Sequence, residues 1–359
     1  MANDNVYIWY SGATDLTGKN LTTALDVEGG TNKPSARKIV IGWGTKIKKN
    51  IGSLGKDVKV LNHPDQIRAN RNKFQALTLM RQAGNTPVAD FYTVDDVNNH
   101  MDQLPLVGRR NFHQGGKGFW LCLTADHVRR AVNEGAQYFQ KYIPIKDEFR
   151  LHIFDGKCIY AAKKVERDNM KEAFIEQQKE KAKNAAERKG MAIDENTLNF
   201  LLDRISKEQQ EHPDHIVKSN TRGWKFSKVK TPKKALVTAC VNALAALKLD
   251  FGAVDCCLDE NGNPWIIEIN SGPGLKGSSL EAWTKAFKEK IDELAKPKKT
   301  AVKKAVKAAG KKIAGTVTRK KSDKTKLVET MSTLADLIEA ADDAEVEAIR
   351  SAAARMLGG

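Results

Sequence analysis

Short runs of apolar residues alternate with amphipathic segments along the first part of the chain. This pattern predicts strands at residues 6–10, 38–43 and 58–61 and a helix at residues 18–25. Alternation of strands and helices is typical of a small open α/β unit.

Residues 11–20 follow the first predicted strand and have some features of a phosphate-binding P-loop. Their spacing differs, because five residues separate Gly12 from Gly18 and Asn20 stands where a Ser or Thr would hold Mg²⁺. The favoured interpretation is a loop that packs the helix onto the sheet.

From residue 72 onward the pattern mixes helices with paired strands. Helices are predicted at residues 72–84, 232–247 and 280–294, and strands near Phe91 and at residues 104–110, 148–154 and 157–165. The fold class is therefore α/β with α+β character. Residues 168–214 are rich in Glu, Lys, Gln and Ala and predict two surface helices, either an insertion that covers or extends the core or a basic partner-binding element.

Two apolar strand patterns within residues 251–270 are joined by a turn that contains Asn261 and Gly262, a strong hairpin signal. If these two residues form the turn, a regular ladder places Asp255 opposite Glu268. Adjacent carboxylates repel each other on a sheet face. A divalent cation between the two carboxylates turns their repulsion into attraction to the metal. Asn270 lies on the same face and adds a neutral oxygen ligand.

The alternative to a magnesium site is a solvent-exposed acidic hairpin face. Val254, Ile267 and Ile269 are expected on the opposite face and need cover, while Cys257 and Ile266 are expected beside the acids. This pattern favours the metal site.

Composition indicates a globular protein with 41% hydrophobic and 29% charged residues. No run reaches the length of a membrane span, and residues 1–10 lack the features of a signal peptide. The five cysteines have no zinc-type spacing. The cysteines are therefore expected to act as small apolar residues in a reducing cytoplasm. Membrane attachment is not expected.

The net charge of +16 is concentrated near the end of the chain. Residues 296–326 hold 13 Lys or Arg against one Asp, whereas residues 327–359 are acidic. The basic stretch suits either salt-dependent binding of nucleic acid or another acidic partner, or a solvated linker. Residues 327–359 predict a helical segment, with homo-oligomerisation as one role.

A glycine-rich segment follows the strand that ends in Arg109 and Arg110. Gly115, Gly116 and Gly118 allow backbone N–H groups to approach an anion, and Lys117 adds positive charge. Glycine-rich hairpin turns are common, so this segment alone is a weak phosphate-binding signal.

Taken together, these segments resemble the ATP-grasp superfamily of carboxylate–amine ligases. The resemblance covers roughly residues 71–295, with residues 1–70 similar to the α/β domain that usually precedes them. Asp255, Glu268 and Asn270 match the Asp … Glu-x-Asn magnesium motif. Residues 218–223 are similar to a segment of ligases that add amino acids to peptides or proteins, such as ribosomal-protein glutamate ligases, and the wider likeness includes glutathione synthetase-like enzymes.

The resemblance also assigns roles to single residues. It implies that a hinge at residues 140–143 binds adenine, that Glu148 holds the ribose hydroxyls and that Arg222 and Arg150 hold the substrate carboxylate. The remaining nucleotide contacts that it implies are Lys73, Arg109, Gly115, Gly116, Lys117, Gly118, Lys141, Tyr142, Ile143 and Lys164. Arg109 stands where the family has a lysine, and a guanidinium still binds phosphate.

The implied reaction joins a carboxylate to an amine through an acyl phosphate, using ATP with Mg²⁺, or with Mn²⁺ as an alternative metal. The substrate is expected to be an amino acid, a peptide or a protein terminus. The alternatives are an ATP-dependent phosphotransferase and a nucleic-acid-associated protein that acts through residues 296–326. The expected domains are 1–70, 71–295 with the insertion at 168–214, the basic linker 296–326 and the helical segment 327–359.

Overall fold

Three β-sheets with flanking helices make up the part of the chain that the structure, a computed structural model, describes. The described residues are 5–34, 37–45, 54–55, 57–112, 118–166, 180, 218 and 224–296. The chain divides into two compact units, Met1–Ala286 and Phe287–Gly359, and all three sheets belong to the first. Apart from Glu180, Lys218 and Lys296, the predictions for residues 168–223 and 296–359 lie outside the described residues.

The first sheet is parallel and has the strand order β2-β1-β3-β4. Its elements are β1 Val6–Tyr10, α1 Leu16–Leu25, β2 Glu28–Gly30, β3 Ile39–Trp43 and β4 Lys59–Leu61. All of β3 is buried, as expected for a strand covered on both faces. The open α/β unit is confirmed, although β2 was not expected. The loop before α1 ends at Asp15, whose carboxylate accepts the Gly18 N–H at 2.9 Å and so caps the helix.

The second sheet is antiparallel, with the order β5-β8-β6-β7. Two α-helices precede it, and a third α-helix and a 3-10 helix, Val97–Gln103, lie within it. The elements are α2 Pro64–Arg71, α3 Lys73–Gln82, β5 Phe91–Thr93, β6 Leu106–Arg109, β7 Phe119–Cys122, α4 Ala125–Asn133 and β8 Tyr138–Lys141. The predicted helix at 72–84 is confirmed as α3, whereas α2 was not expected.

The third sheet is antiparallel, with the order β11-β10-β9-β12-β13. Its elements, with the two helices that follow the insertion, are β9 Ile145–Phe154, β10 Lys157–Glu166, β11 Trp224–Lys228, α5 Lys234–Ala246, β12 Phe251–Asp259, β13 Pro264–Asn270 and α6 Ser278–Ala295. Helix α5 packs with α3 on one face of this sheet, where Leu151, Ile153 and Val254 are buried. The other face carries the charged residues described below.

The carboxyl ends of the first sheet abut β12 and the end of β13. The Asn62 side chain donates to the Phe251 carbonyl at 2.9 Å and accepts the Asp250 N–H at 2.7 Å. Gly44 lies so close to Gly272 that a Cβ on Gly272 would stand 2.8 Å from the Gly44 backbone. Only glycine fits at that contact, which fixes the first sheet beside the strand that carries Glu268.

None of the helices in the described part of the chain combines the length and the apolar content that a membrane crossing requires.

Candidate functional site

The turn between β12 and β13 has three residues rather than the expected two. The Gly262 N–H donates to the Asp259 carbonyl at 3.0 Å, and the Asp259 N–H donates to the Asn263 carbonyl at 3.0 Å. Gly262 has a φ of 81°, as in a type I turn completed by a left-handed residue. The prediction that Asn261 and Gly262 alone form the turn is therefore wrong.

A bulge further along β13 restores the predicted pairing of the acids. Cys256 pairs with Ile266, whereas Asp255 pairs with Glu268, so Ile267 is the extra residue. The pairing of Asp255 with Glu268 is thus confirmed. It results from the three-residue turn and the bulge, whose one-residue shifts of the strand register cancel each other. The bulge also corrects the expected faces. Ile266 joins Ile269 in the core, while Ile267 is only half-buried.

Arg150 of β9 lies directly across from Asp255 and binds it with two hydrogen bonds. Arg150 Nε and Nη2 donate to the two Asp255 carboxylate oxygens at 2.6 and 2.7 Å. Burial lowers the pKa of the Arg150 guanidinium, but Asp255, Glu268 and Glu148 together raise it above its ordinary value, so the guanidinium remains charged. The Phe226 ring of β11 covers the guanidinium, with the Arg150 Cζ 4.7 Å from the ring centroid. A predicted metal ligand and a predicted carboxylate-binding residue therefore form one ion pair.

Glu268 has a different cation, Lys73, with which it forms a hydrogen-bonded ion pair. Lys73 is the first residue of α3, and Asn72 caps this helix by accepting the Gln75 N–H at 3.1 Å. The Lys73 N–H donates to the Asn111 carbonyl at 3.1 Å, which ties the start of α3 to the segment that follows β6. The fold thereby brings together Lys73 and Glu268, which are far apart in the sequence.

Arg109 ends β6, two residues before Asn111, whose carbonyl accepts the Lys73 N–H. Its Nε is a buried donor without a hydrogen-bond partner among the described residues, and the Asn111 Oδ1 is likewise unpaired among them. Burial raises the pKa of the neighbouring Tyr138 hydroxyl to about 12, with Arg109 lowering it and Glu268 raising it. Unpaired buried donors usually have a partner in the working protein, and a phosphate oxygen would fit Arg109.

The expected glycine loop is only partly described. Gly115, Gly116 and Lys117 lie outside the described residues. Gly118 has a φ of 68° and packs on the Arg110 side chain, which donates to the Glu134 carbonyl at 2.9 Å. The base of the loop is therefore fixed to the end of α4.

Glu148 and Lys164 form a second buried ion pair next to the Arg150–Asp255 pair. Lys164 binds the Glu148 carboxylate and donates to the Lys218 carbonyl at 2.6 Å. Burial raises the pKa of Glu148, and Lys164 opposes this change. Both residues belong to the predicted nucleotide site, and the structure places them in contact.

The expected adenine hinge connects the second and third sheets. The Lys141 N–H donates to the Asp90 carbonyl at 2.7 Å and the Tyr142 N–H to the Pro105 carbonyl at 3.0 Å. The Lys141 and Tyr142 N–H groups of the expected hinge are thus bonded within the protein. A cavity of about 400 Å³ adjoins the hinge; it is lined by Ala89, Asp90, Lys141, Tyr142, Ile143, Pro144, Asp259, Glu260, Asn261 and Trp265.

Two neighbours of the predicted residues were not expected at the site: Phe226 and Tyr138. Cys257, which strand alternation places beside the acids, lies two residues after Asp255 and pairs with Glu148. Phe226 and Tyr138 reach the site only through the strand order of the two sheets. The predicted Arg222 lies outside the described residues.

The donors available on this face suit magnesium. The described residues include no cluster of three His, Cys, Asp or Glu side chains. Asp255 and Glu268 lie opposite each other, and Asn270 pairs with Ala253 further along the same strands. Mg²⁺ typically takes one or two carboxylates and completes its shell with water and phosphate oxygens. Two carboxylates with one amide oxygen fit this preference.

Comparison with solved structures shows an ATP-grasp fold. The ATP-grasp ligase PsnB complexed with minimal precursor matches with a TM-score of 0.50 at 14% identity, covering 80% of this chain and 99% of that one. D-alanine–D-alanine ligase from Bacillus anthracis matches with a TM-score of 0.50 at 15% identity, covering 79% and 91%.

Sequence comparison is more limited. No family model matches the chain. A stretch of 66 residues is 38% identical to the D-alanine–D-alanine ligase of Acinetobacter baumannii (strain SDF). This match covers 18% of the chain and 21% of that enzyme, so the chain matches about a fifth of the curated relative's length.

Proposed function

We propose that this protein is an ATP-dependent ligase that joins a carboxylate to an amine. The observation that carries the proposal is the pairing of Asp255 with Glu268 on one face of an ATP-grasp sheet, with a protein cation on each acid. The carboxylate would attack the γ-phosphorus of ATP and release ADP. The amine would then displace phosphate from the acyl phosphate, forming the C–N bond.

The proposed phosphate contacts are cations on three segments: Lys73, Arg109 and Lys117, with the backbone of Gly115, Gly116 and Gly118. Arg109 supports this role through its unpaired buried Nε among the described residues. Asp255, Glu268 and Asn270 would hold Mg²⁺, or Mn²⁺ in its place. The bound metal would offset negative charge on the transferring phosphoryl group.

The nucleoside would lie along the same sheet face. Residues 141–143 would contact adenine. Glu148 would accept hydrogen bonds from the ribose hydroxyls, and its ion pair with Lys164 would hold it in place. Burial keeps water away from Glu148, which strengthens any hydrogen bond that it accepts.

The substrate carboxylate would be held by Arg222 and Arg150. Backbone N–H groups at Gly272, which lies against Gly44, and at Gly274 would add hydrogen bonds to the oxygen that develops negative charge. An amino acid or peptide substrate agrees with the D-alanine–D-alanine ligase and precursor-bound PsnB structures that share the fold.

Four further proposals come from the sequence. The division at residue 70 agrees with a separate parallel sheet formed by β1 to β4, whereas the division at residue 295 rests on the sequence pattern. A cytoplasmic location suits five cysteines that are all free. Homo-oligomerisation through residues 327–359 and nucleic-acid binding through residues 296–326 rest on composition and charge alone.

The decisive experiment measures ADP release with a panel of amino acids and peptides, with mass spectrometry of the products. Glu268→Gln should reduce Mg²⁺-dependent ATP turnover by more than about 100-fold, since it removes charge stabilisation at the reacting phosphate. Asp255→Ala should act in the same direction. Glu281→Gln, which changes an exposed carboxylate in the first turn of α6, is the matched control and should retain full turnover.

Wild-type turnover in Glu268→Gln would refute the metal site. ADP release that no amine stimulates would favour the phosphotransferase. Removal of residues 296–359 tests the nucleic-acid-associated alternative. A ligase should keep amine-stimulated turnover, whereas a protein that binds nucleic acid through residues 296–326 should lose its salt-sensitive affinity.

A further inference from the structure

Each acid of the proposed metal site has its own protein cation, but the two ion pairs differ in how firmly they are held. Asp255 is 7% exposed and receives two hydrogen bonds from Arg150. Glu268 is 28% exposed and receives a hydrogen bond from Lys73. A bidentate guanidinium contact is geometrically fixed, whereas an ammonium group on a flexible chain can exchange partners.

Arg150 is further restrained by its surroundings. Its guanidinium lies between the Asp255 carboxylate and the Phe226 ring, and its neighbours on the sheet are the Glu148–Lys164 pair. Moving Arg150 would leave a nearly buried Asp255 without its cation, which is costly. Arg150 therefore stays with Asp255 whether or not other ligands are present.

The proposed phosphate site offers Lys73 an alternative partner. The Lys73 backbone N–H is bonded to the carbonyl of Asn111, two residues after Arg109, so the Lys73 side chain extends from a point at the base of the proposed phosphate loop. When a metal ion approaches Glu268, it competes directly with the ammonium group for the carboxylate. A phosphate group near Arg109 would accept the displaced cation.

We propose that Lys73 is an exchangeable counter-ion, which neutralises Glu268 in the nucleotide-free protein and transfers to the nucleotide phosphates when the metal–nucleotide complex binds. This inference rests on the proposed function, because it takes the nucleotide site as given. Its consequence is that metal and nucleotide bind cooperatively. The metal releases Lys73 from Glu268 and so makes it available to the phosphates, while the nucleotide draws Lys73 away and so makes Glu268 available to the metal. The metal alone binds weakly because it has to displace Lys73.

The test measures Mn²⁺ binding by electron paramagnetic resonance, with and without saturating ADP, and ADP binding by calorimetry without metal. Lys73→Met should bind Mn²⁺ alone more tightly, by roughly tenfold, as is typical of coupling between two sites. The same variant should bind metal-free ADP more weakly. Lys73→Arg keeps the charge and should retain weak binding of Mn²⁺ alone.

Lys163→Met is the matched control. Lys163, on β10, is also a lysine with a carboxylate partner, Asp147 at 2.7 Å, but it neighbours Phe149 rather than the acids of the site. Its Mn²⁺ and ADP affinities should equal those of the wild type. Glu268→Gln provides the reciprocal variant, because it frees Lys73 and should tighten binding of metal-free ADP.

A Lys73→Met protein with a wild-type melting temperature that binds Mn²⁺ alone no tighter than the wild type would overturn the exchange. If Lys73→Met does not fold, unchanged binding of metal-free ADP by Glu268→Gln would overturn it instead. Failure of the wild type to bind ADP even with Mn²⁺ would refute the nucleotide site itself, so the two failures are distinguishable.

Discussion

The site-bearing face of the third sheet has an aromatic end and a charged end, and their interactions differ. At the aromatic end Phe154 and Phe251 stack with ring centroids 5.7 Å apart, and Trp283 meets Trp43 edge-on at 5.2 Å. At the charged end Asp255 and Glu268 are matched by Arg150 and Lys73. Apolar packing fixes the first end, whereas ion pairs hold the second.

His152 lies at the boundary between the two ends and shows how abruptly the environment changes. Its Nδ1 accepts a hydrogen bond from the Trp283 Nε1–H at 2.6 Å, so the ring is neutral. Burial lowers the pKa of His152 to about 3, and the neighbouring Arg150 charge contributes to the same shift. A rigid aromatic support thus lies directly beside the Arg150–Asp255 ion pair.

The largest expected difference between the two ends is in the free energy of unfolding, on removal of an aromatic ring from the aromatic end. Phe251 is fully buried, so Phe251→Ala should reduce the free energy of unfolding by about 3–5 kcal/mol. Urea denaturation measures this loss. The ADP affinity of the folded variant should stay close to that of the wild type, and a stable variant with lost affinity would contradict the division of roles.

A smaller effect is expected from the neutral histidine. Its pKa is lowered on folding, so the unfolded chain binds a proton that the folded protein excludes, and stability falls as the pH decreases from about 6.5 towards 3. Between pH 7 and pH 5 this costs the wild type about 2 kcal/mol. His152→Gln should lack that component in urea titrations at both pH values, and an unchanged pH dependence would show that His152 does not titrate as described.

The smallest effect is expected from an exposed ring at the charged end. Phe226 is 42% exposed and contacts the Arg150 and Lys164 cations at 4.7 and 5.7 Å. Phe226→Ala should lower the free energy of unfolding by no more than about 1 kcal/mol, the size of an exposed cation–π contact. It also serves as the same-residue control for Phe251→Ala. Equal losses in the two variants would remove the distinction between the ends.

Sequence patterns predicted the elements well where the signals are local. Strand alternation placed β1, β9, β10 and β12, and the helix signals placed α3 and α5 close to their observed bounds. Element α2 escaped because Pro64–Arg71 has few apolar residues, although its capping box at His63 was a usable signal.

The site was only partly predictable, because its ion pairs depend on non-local contacts. The facing of Asp255 and Glu268 followed from the hairpin, although the assumed turn was wrong. Nothing local indicates that β9 lies beside β12, which brings Arg150 to Asp255. The start of α3 likewise reaches Glu268 only through the packing of α3 and the second sheet against the third.

The bulge at Ile267 has a consequence for how relatives of this chain would be recognised. Without that residue, Ile266 and Glu268 would be neighbours in a regular ladder, and strand alternation would still direct one to the core and the other towards Asp255. The hairpin therefore tolerates a one-residue deletion at this point without moving either acid. Sequence searches that demand a fixed interval between the two acids would miss such shorter chains, although the same face would carry the same chemistry.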